Sequence, residues 1–219
     1  MFGKLIAGAA TLLVLIGVPV AAETYAGQQL DQSVRNATQS LAPGAAITRV
    51  ELHGRPFLAA LLQGEVSSAY VDLRGATGAT GTTTLILQGL HRDTGRVNTV
   101  LWFSHLPQPV ALLPVKTAAG AYSPIGTATL DGKRVEVTYQ ATVEHGKLSL
   151  EPATMKVGGR EVGVGAVPAA WWAKLTPTAV ELPAVNALAV RAVSVGEDDI
   201  TVELQQQDVA TAAAHRAGA

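Results

Sequence analysis

The sequence predicts an α+β fold: a curved, mainly antiparallel β-sheet packed with a few amphipathic helices. The first observation is strict alternation of apolar and polar residues in several segments, clearest at 135–143, which indicates strands with one buried face. The second is tight turns between such segments, for example His145-Gly146, which favour hairpins. The third is short helical patterns at intervals, with no composition shift to mark a domain boundary.

Up to residue 75 the apolar spacing and the turn residues predict two helices and two strands. Leu30, Val34, Ala37 and Leu41 share one face of a 3.6-residue period, and Pro43-Gly44 ends that helix. Pro56 suits a first helical turn, and Gly64 suits a left-handed cap. The predicted elements are a helix at 25–42, a strand at 46–53, a short helix from Pro56 to Gly64, and a strand at 66–74.

Beyond a Gly-rich loop at 75–81, the sequence predicts mostly strands. Three prolines make 107–121 extended or irregular, and Asp131-Gly132 is predicted to be a turn. The predicted elements are strands at 82–91, 97–106, 127–130, 135–143 and 147–157, a helix at 168–175, and a final hairpin of 188–195 with 200–204.

The N-terminal segment predicts export. Lys4 is the only charged residue before Glu23, and residues 5–22 form an uncharged run of 18 residues. Small residues after Pro19 suit signal-peptidase cleavage, so we expect 1–22 to be a signal peptide cleaved after Ala22; an uncleaved membrane anchor is the alternative. Either places a single domain, 23–208, in the periplasm or cell envelope, followed by a disordered Ala-rich tail at 209–219.

Composition excludes several classes of protein. Of the 219 residues, 48% are hydrophobic and 15% are charged, with a formal net charge of -1 and no cysteine. A chain this apolar is not intrinsically disordered, and without a basic excess it lacks the footprint of a nucleic-acid binder. The absence of cysteine excludes disulfides, thiol nucleophiles and cysteine metal sites.

No catalytic or metal-binding motif stands out. No serine lies in a Gly-x-Ser-x-Gly context. The segment from Gly126 to Arg134 has the wrong glycine spacing for a phosphate-binding loop, and none of the five histidines pairs with another at i, i+4. The sequence therefore predicts neither an enzyme nor a cofactor.

Two adjacent aromatic pairs point to an apolar surface. Trp102 and Phe103 fall on a predicted strand, where neighbours face opposite sides, and Trp171 and Trp172 fall on a predicted helix, about 100° apart. One member of each pair is expected to face outward, which suits a lipid or a membrane interface. Ordinary core and edge packing is the alternative.

The stretch from Val50 to Leu58 (VELHGRPFL), followed by Gly64 to Leu73 (GEVSSAYVDL), resembles the signature of the LmeA-like phospholipid-binding proteins of actinobacteria. In that family a strand ends in Gly-x-Pro-Phe-Leu, a short helix runs to a glycine, and a second strand follows. The resemblance implies an exported envelope protein that binds phospholipid on a curved sheet, similar to the tubular lipid-binding architecture, and that supports lipomannan and lipoarabinomannan assembly.

Together these features predict a lipid groove. One lip is expected to be formed by Phe57, Leu58, Leu61 and Leu62, with Gly54, Pro56 and Gly64 fixing the helix that carries them. One member of each aromatic pair is expected to supply an aromatic wall or a membrane-facing rim: Trp102 or Phe103, and Trp171 or Trp172. The expected headgroup contacts are Arg49, Arg55 and Lys174.

The expected partners are a phospholipid or related envelope lipid and the membrane surface, without nucleic acid. A non-lipid protein-interaction module is one alternative. The other is an enzyme with a dispersed site, which His53 or His105 beside a carboxylate and a pocket would favour.

Overall fold

The computed structural model describes residues 2–54, 56–75, 82–182 and 188–211, with side chains from residue 20 onward except Val164. Its helices are α1 (Phe2–Leu41), α2 (Phe57–Gln63) and α3 (Ala169–Leu175), with a 3-10 turn at Val164–Ala166. Its strands are β1 (Ala46–His53), β2 (Glu65–Arg74), β3 (Thr82–His91), β4 (Arg96–Pro107), β5 (Leu113–Lys116), β6 (Tyr122–Leu130), β7 (Lys133–Glu144), β8 (Lys147–Val157), β9 (Arg160–Val162), β10 (Val180–Glu181), β11 (Ala189–Val195) and β12 (Asp199–Ala210).

The described strands form two open sheets, and all pairings between them are antiparallel. The first sheet has the order β1-β2-β3-β4-β12-β11, and the second has the order β10-β8-β7-β6-β5, with β9 pairing with β8. The predicted α+β class is therefore confirmed, and its strands are shared between two sheets. The sheets meet where β11 lies against β5, β6 and β7.

Tight turns join the hairpins as the sequence predicts. Asp131-Gly132 has φ values of 49° and 75°, and His145-Gly146 has φ values of 52° and 74°. Positive φ at both central residues is the geometry of the two-residue turn whose twist matches that of the flanking strands. These turns fix the register of β6 with β7 and of β7 with β8.

The core is one contiguous cluster between the first sheet, α1 and the second sheet. The predicted stripe of α1 is buried and packs beside β1 and β2. The first sheet contributes its inner face, and the second contributes β7 and β8 together with α3. The fully or almost fully buried members include Leu30, Val34, Ala37, Leu73, Leu85, Leu87, Trp102, Val137, Leu148, Leu150, Leu175, Val202 and Leu204.

The first helix and the last strand both extend beyond their predicted bounds. The helix expected at 25–42 starts at Phe2, so α1 is continuous across the expected junction of Ala22 and Glu23. Residues 209–211, expected to belong to a disordered tail, are ordered: β12 runs to Ala210, Val209 is buried opposite Val97, and the Thr211 hydroxyl donates to the Gly95 carbonyl at 2.6 Å.

One further boundary differs in the middle of the chain. The short strand expected at 127–130 extends back to Tyr122 and pairs with β5, which lies within the segment expected to be extended or irregular. Ser123 stabilises this pair, since its hydroxyl donates to the Val115 carbonyl at 2.6 Å. The Gly-rich loop expected at 75–81 lies outside the described residues except for Gly75.

Candidate functional site

A groove of about 1260 Å³ lies between α1, β1 and the start of α2. Apolar side chains of Val20, Val50, Leu52 and Phe57 face it, together with Gly27. The remaining lining is polar or acidic: Glu23, Thr24, Gln28, Asp31, Gln32, Glu51 and His53. The groove therefore offers an apolar strip flanked by hydrogen-bonding groups.

The short helix α2 is held against α1 by a carboxylate. Pro56 precedes α2 in an extended conformation and supplies no side-chain cap. Instead, the backbone N–H groups of Phe57 and Leu58 donate to the Glu23 carboxylate, the second at 3.0 Å. These donors have no partner within the helix itself, so Glu23 satisfies the first turn of α2 from 34 residues away.

A glycine lets the two helices approach. A Cβ atom at Gly27 would lie 3.1 Å from Cδ2 of Phe57, tighter than an ordinary carbon contact. At the other end of α2, Gly64 adopts the left-handed conformation (φ 70°), and its N–H donates to the Leu61 carbonyl. The predicted start and end of this helix are confirmed.

The four predicted lip residues lie in different environments. Phe57 lines the groove, and both Phe57 and Leu61 pack partly against the core. Leu58 is 37% exposed and Leu62 is 80% exposed, and α2 has no buried residue. The leucines of α2 thus form an apolar surface beside the groove instead of lining it. Gly54 precedes this corner with φ at 96°, and Arg55 lies outside the described residues.

The aromatic pairs, which were expected to supply aromatic walls or a membrane-facing rim, are not among the residues that line this groove. Trp102 is fully buried on the inner face of the first sheet, and Phe103 lies half-buried on the outer face. Trp171 is buried and its Nε1–H donates to Asp131 at 2.6 Å, whereas Trp172 is half-buried against the core. Core packing explains the buried member of each pair, and the alternation along strand and helix explains why its neighbour is more exposed.

The expected basic headgroup contacts are also placed differently. Lys174 lies on α3, 3.9 Å from Asp131 and remote from the groove lining. Arg49 forms an ion pair with Glu51, and Arg35 forms one with Asp31 at 2.6 Å. The charged side chains that line the groove are carboxylates, two of which are compensated by these arginines.

A second, polar cavity of about 360 Å³ lies on the outer face of the first sheet. It contains the histidine–carboxylate pair that the sequence left open: His105 Nδ1 lies 2.8 Å from Asp199 Oδ2. Thr201 Oγ1 lies 3.2 Å from the same nitrogen. His53 instead packs its ring on Tyr70, with the centroids 4.6 Å apart.

The residues with described side chains contain neither a group of side chains that could hold a metal ion nor a helix that could span a membrane. Within them, no three or more histidine, aspartate or glutamate side chains are grouped to hold a metal ion. Among the residues whose side chains the structure describes, from residue 20 onward, no helix has a stretch long and apolar enough to cross a membrane.

Comparisons of the chain with protein-family models, with curated proteins and with solved structures find no match. The LmeA-like resemblance rests on the pattern at 50–73 and stays a prediction.

Proposed function

We propose that this protein is an exported cell-envelope protein that binds the acyl chain of a phospholipid or related lipid in the groove between α1, β1 and α2. One observation carries the proposal: a large groove with an apolar strip lies directly beside a helix on which Leu58 and Leu62 are exposed. The apolar run at 5–22 and the resemblance at 50–73 support placement in the envelope and a role in lipid or lipoglycan assembly.

The size of the groove favours a long ligand. Its volume of about 1260 Å³ exceeds the roughly 300–1,000 Å³ of pockets for drug-sized molecules. Each buried methylene contributes about 0.8 kcal/mol, so ten of them contribute about 8 kcal/mol. That free energy corresponds to a dissociation constant of about 1 µM before ordering costs are subtracted.

The charges beside the groove favour a zwitterionic or uncharged headgroup. Glu23, Asp31 and Glu51 line the groove, and the arginines beside it are already paired with Asp31 and Glu51, so a phosphate or carboxylate ligand would find no cation among the lining residues. Hydroxyl or ammonium groups would instead donate hydrogen bonds to them. The lining therefore supplies hydrogen-bond acceptors, and Arg49 and Lys174, two of the expected headgroup contacts, are not part of it.

The exposed leucines of α2 favour contact with a membrane surface during lipid transfer. Burying a leucine contributes about 1.5–3 kcal/mol, and Leu62 is 80% exposed in the isolated chain. A lipid surface at this corner would bury Leu58 and Leu62 while the groove stays within reach of an acyl chain.

Lipid extraction tests the groove. The purified protein is extracted and analysed by mass spectrometry, and binding to phospholipid liposomes is measured. Gln28→Trp places a large ring in the groove lining and is expected to reduce bound lipid several-fold. Tyr25→Trp adds tryptophan at an exposed helix position outside the lining and is the matched control. Absence of lipid, with no liposome binding, contradicts the proposal; a stable crosslinked protein partner without lipid favours an interaction module instead.

Liposome co-sedimentation tests the helix surface. Leu62→Asp is expected to weaken membrane association, because it places a charge where apolar area would be buried. Leu113→Asp changes a similarly exposed leucine (73%) on β5 and serves as the control. Equal loss in both variants would contradict a membrane contact specific to α2.

A second candidate function, an enzyme with a dispersed site, is favoured by the His105–Asp199 pair in its cavity. A carboxylate on one ring nitrogen orients an imidazole for acid–base chemistry at the other. Hydrolysis of a p-nitrophenyl ester that is lost in His105→Ala would support this candidate, and equal rates in both proteins would contradict it.

A further inference from the structure

The polar cavity is built by the register of the first sheet. Four residues lie opposite one another on the adjacent strands β2, β3, β4 and β12, in the order Arg74, Thr82, His105 and Thr201. They form one row on the outer face, at the spacing of adjacent strands, about 4.8 Å. The backbone of the sheet therefore sets the spacing of these four residues, and none of them belongs to the groove beside α1.

His105 is held in one orientation. Its Nδ1 lies 2.8 Å from Asp199 Oδ2 and 3.2 Å from Thr201 Oγ1, so that nitrogen is engaged within the protein. Among the described residues, Nε2 has no hydrogen-bond partner. An oriented ring with one remaining nitrogen presents a single directional donor or acceptor to the cavity it lines.

The other side of the cavity carries both acceptors and donors. Asp72 Oδ1 accepts a hydrogen bond from the Thr84 hydroxyl at 2.9 Å, which fixes the carboxylate and leaves acceptor capacity on its second oxygen. Arg74 lines the same cavity, is exposed, and has no ion-pair partner in the described part of the chain. Thr82 adds a hydroxyl that both donates and accepts.

The geometry points to a binding site for a small polyhydroxylated ligand, of the size of one or two sugar rings, at Asp72, Arg74, Thr82, His105 and Asp199. Hydroxyl groups donate to the carboxylates and accept from the guanidinium, so one ligand satisfies both kinds of group. A volume of about 360 Å³ lies at the small end of ligand pockets.

Other ligand classes fit the same groups less well. Two carboxylates against one guanidinium disfavour a phosphate or a carboxylate ligand. An apolar ligand would bury Arg74 and Asp72 without hydrogen bonds. The cavity also lies apart from the acyl-chain groove, so this inference does not depend on lipid binding.

The test is an NMR titration in which each probe is added to the isotope-labelled protein and the backbone amide signals are monitored. The probes are methyl glucopyranoside, methyl galactopyranoside, maltose and lactose, with inorganic phosphate as the anionic probe. We expect at least one saccharide to shift the signals of Thr82, Thr84 and His105. We also expect phosphate not to shift them.

Variants identify the site. Asp72→Asn keeps an acceptor for Thr84 but removes the charge, and Arg74→Gln removes the guanidinium; each is expected to weaken saccharide binding about tenfold. Arg191→Gln, an exposed arginine on β11 whose partner is Glu203 at 3.7 Å, is the control and is expected to leave affinity unchanged. Circular dichroism checks that each variant is folded. The inference is overturned if no saccharide shifts these signals, if phosphate alone does, or if Arg74→Gln and Arg191→Gln have the same affinity.

Discussion

Replacing Glu23 with alanine tests how α2 is attached to the domain. The Glu23 carboxylate accepts hydrogen bonds from the first two backbone N–H groups of α2, and Pro56 offers no side-chain substitute. Glu23→Ala leaves both donors without this partner. The apolar residues of α2 are only partly buried against the core, so their packing compensates for the loss only in part.

The expected cost follows from helix capping. Loss of a side-chain cap costs about 0.5–2 kcal/mol, and a charged acceptor at a helix N-terminus lies at the upper end of that range. We therefore expect Glu23→Ala to lower the free energy of unfolding by about 1–2 kcal/mol. For a domain of this size that corresponds to a decrease in Tm of roughly 2–8 °C. Glu23→Gln retains an acceptor oxygen and is expected to lose about half as much.

Thermal unfolding followed by circular dichroism measures the change. Glu197→Ala, at an exposed turn position before β12, removes a carboxylate of the same kind and serves as the control. Lipid binding is expected to fall with stability in Glu23→Ala, since α2 borders the groove. If Glu23→Ala and Glu197→Ala both have the same Tm as the unaltered protein, the Glu23 carboxylate does not hold α2 and the capping argument is refuted.

Two further predictions concern stability. Gly89 has φ at 64°, and a Cβ there would lie 2.9 Å from Cγ of Asn98, so Gly89→Ala is expected to cost roughly 2–4 kcal/mol in urea unfolding. Gly132→Ala, with φ at 75° but open space around it, should cost about 1 kcal/mol; equal costs would contradict the overlap. The buried Tyr139 hydroxyl donates to the Leu175 carbonyl at 2.9 Å, so Tyr139→Phe is expected to lose about 1 kcal/mol. Burial also raises the pKa of Tyr139, so the stability that its neutral hydroxyl contributes is fully present below about pH 10 and is lost as the pH rises above that value. The free energy of unfolding, measured as a function of pH, is therefore expected to decline less at alkaline pH in Tyr139→Phe than in the unaltered protein.

Strands with one buried face were predictable because alternation reports burial directly. β7 alternates without a break, and its inward residues Val135 and Val137 are fully buried. The bounds of α2 were predictable for a different reason. Pro56 and Gly64 act locally, through fixed backbone angles, so no knowledge of distant contacts is needed to place them.

The groove and the cavity were not predictable in the same way, since both depend on residues far apart in sequence. Glu23 caps a helix 34 residues later, and His105 meets Asp199 across 94 residues. The end of β12 was missed because Gln206 occupies an inward position where the pattern requires an apolar residue. A polar side chain facing the core interrupts the periodicity, although the strand itself continues to Ala210.

The position of β12 in the first sheet has a consequence for the order of folding. It pairs along its length with β4, from Asp199 opposite Pro107 to Ala210 opposite Arg96, and separates β4 from β11. During synthesis β1 to β4 emerge first, and one edge of β4 stays without its neighbour until about a hundred further residues have followed. Contacts of such long sequence separation form slowly, and an open strand edge invites pairing with other chains. We therefore expect the edge of β4 to stay open to pairing with other chains until β12 has been synthesised, so that a chaperone bound there would protect the nascent protein.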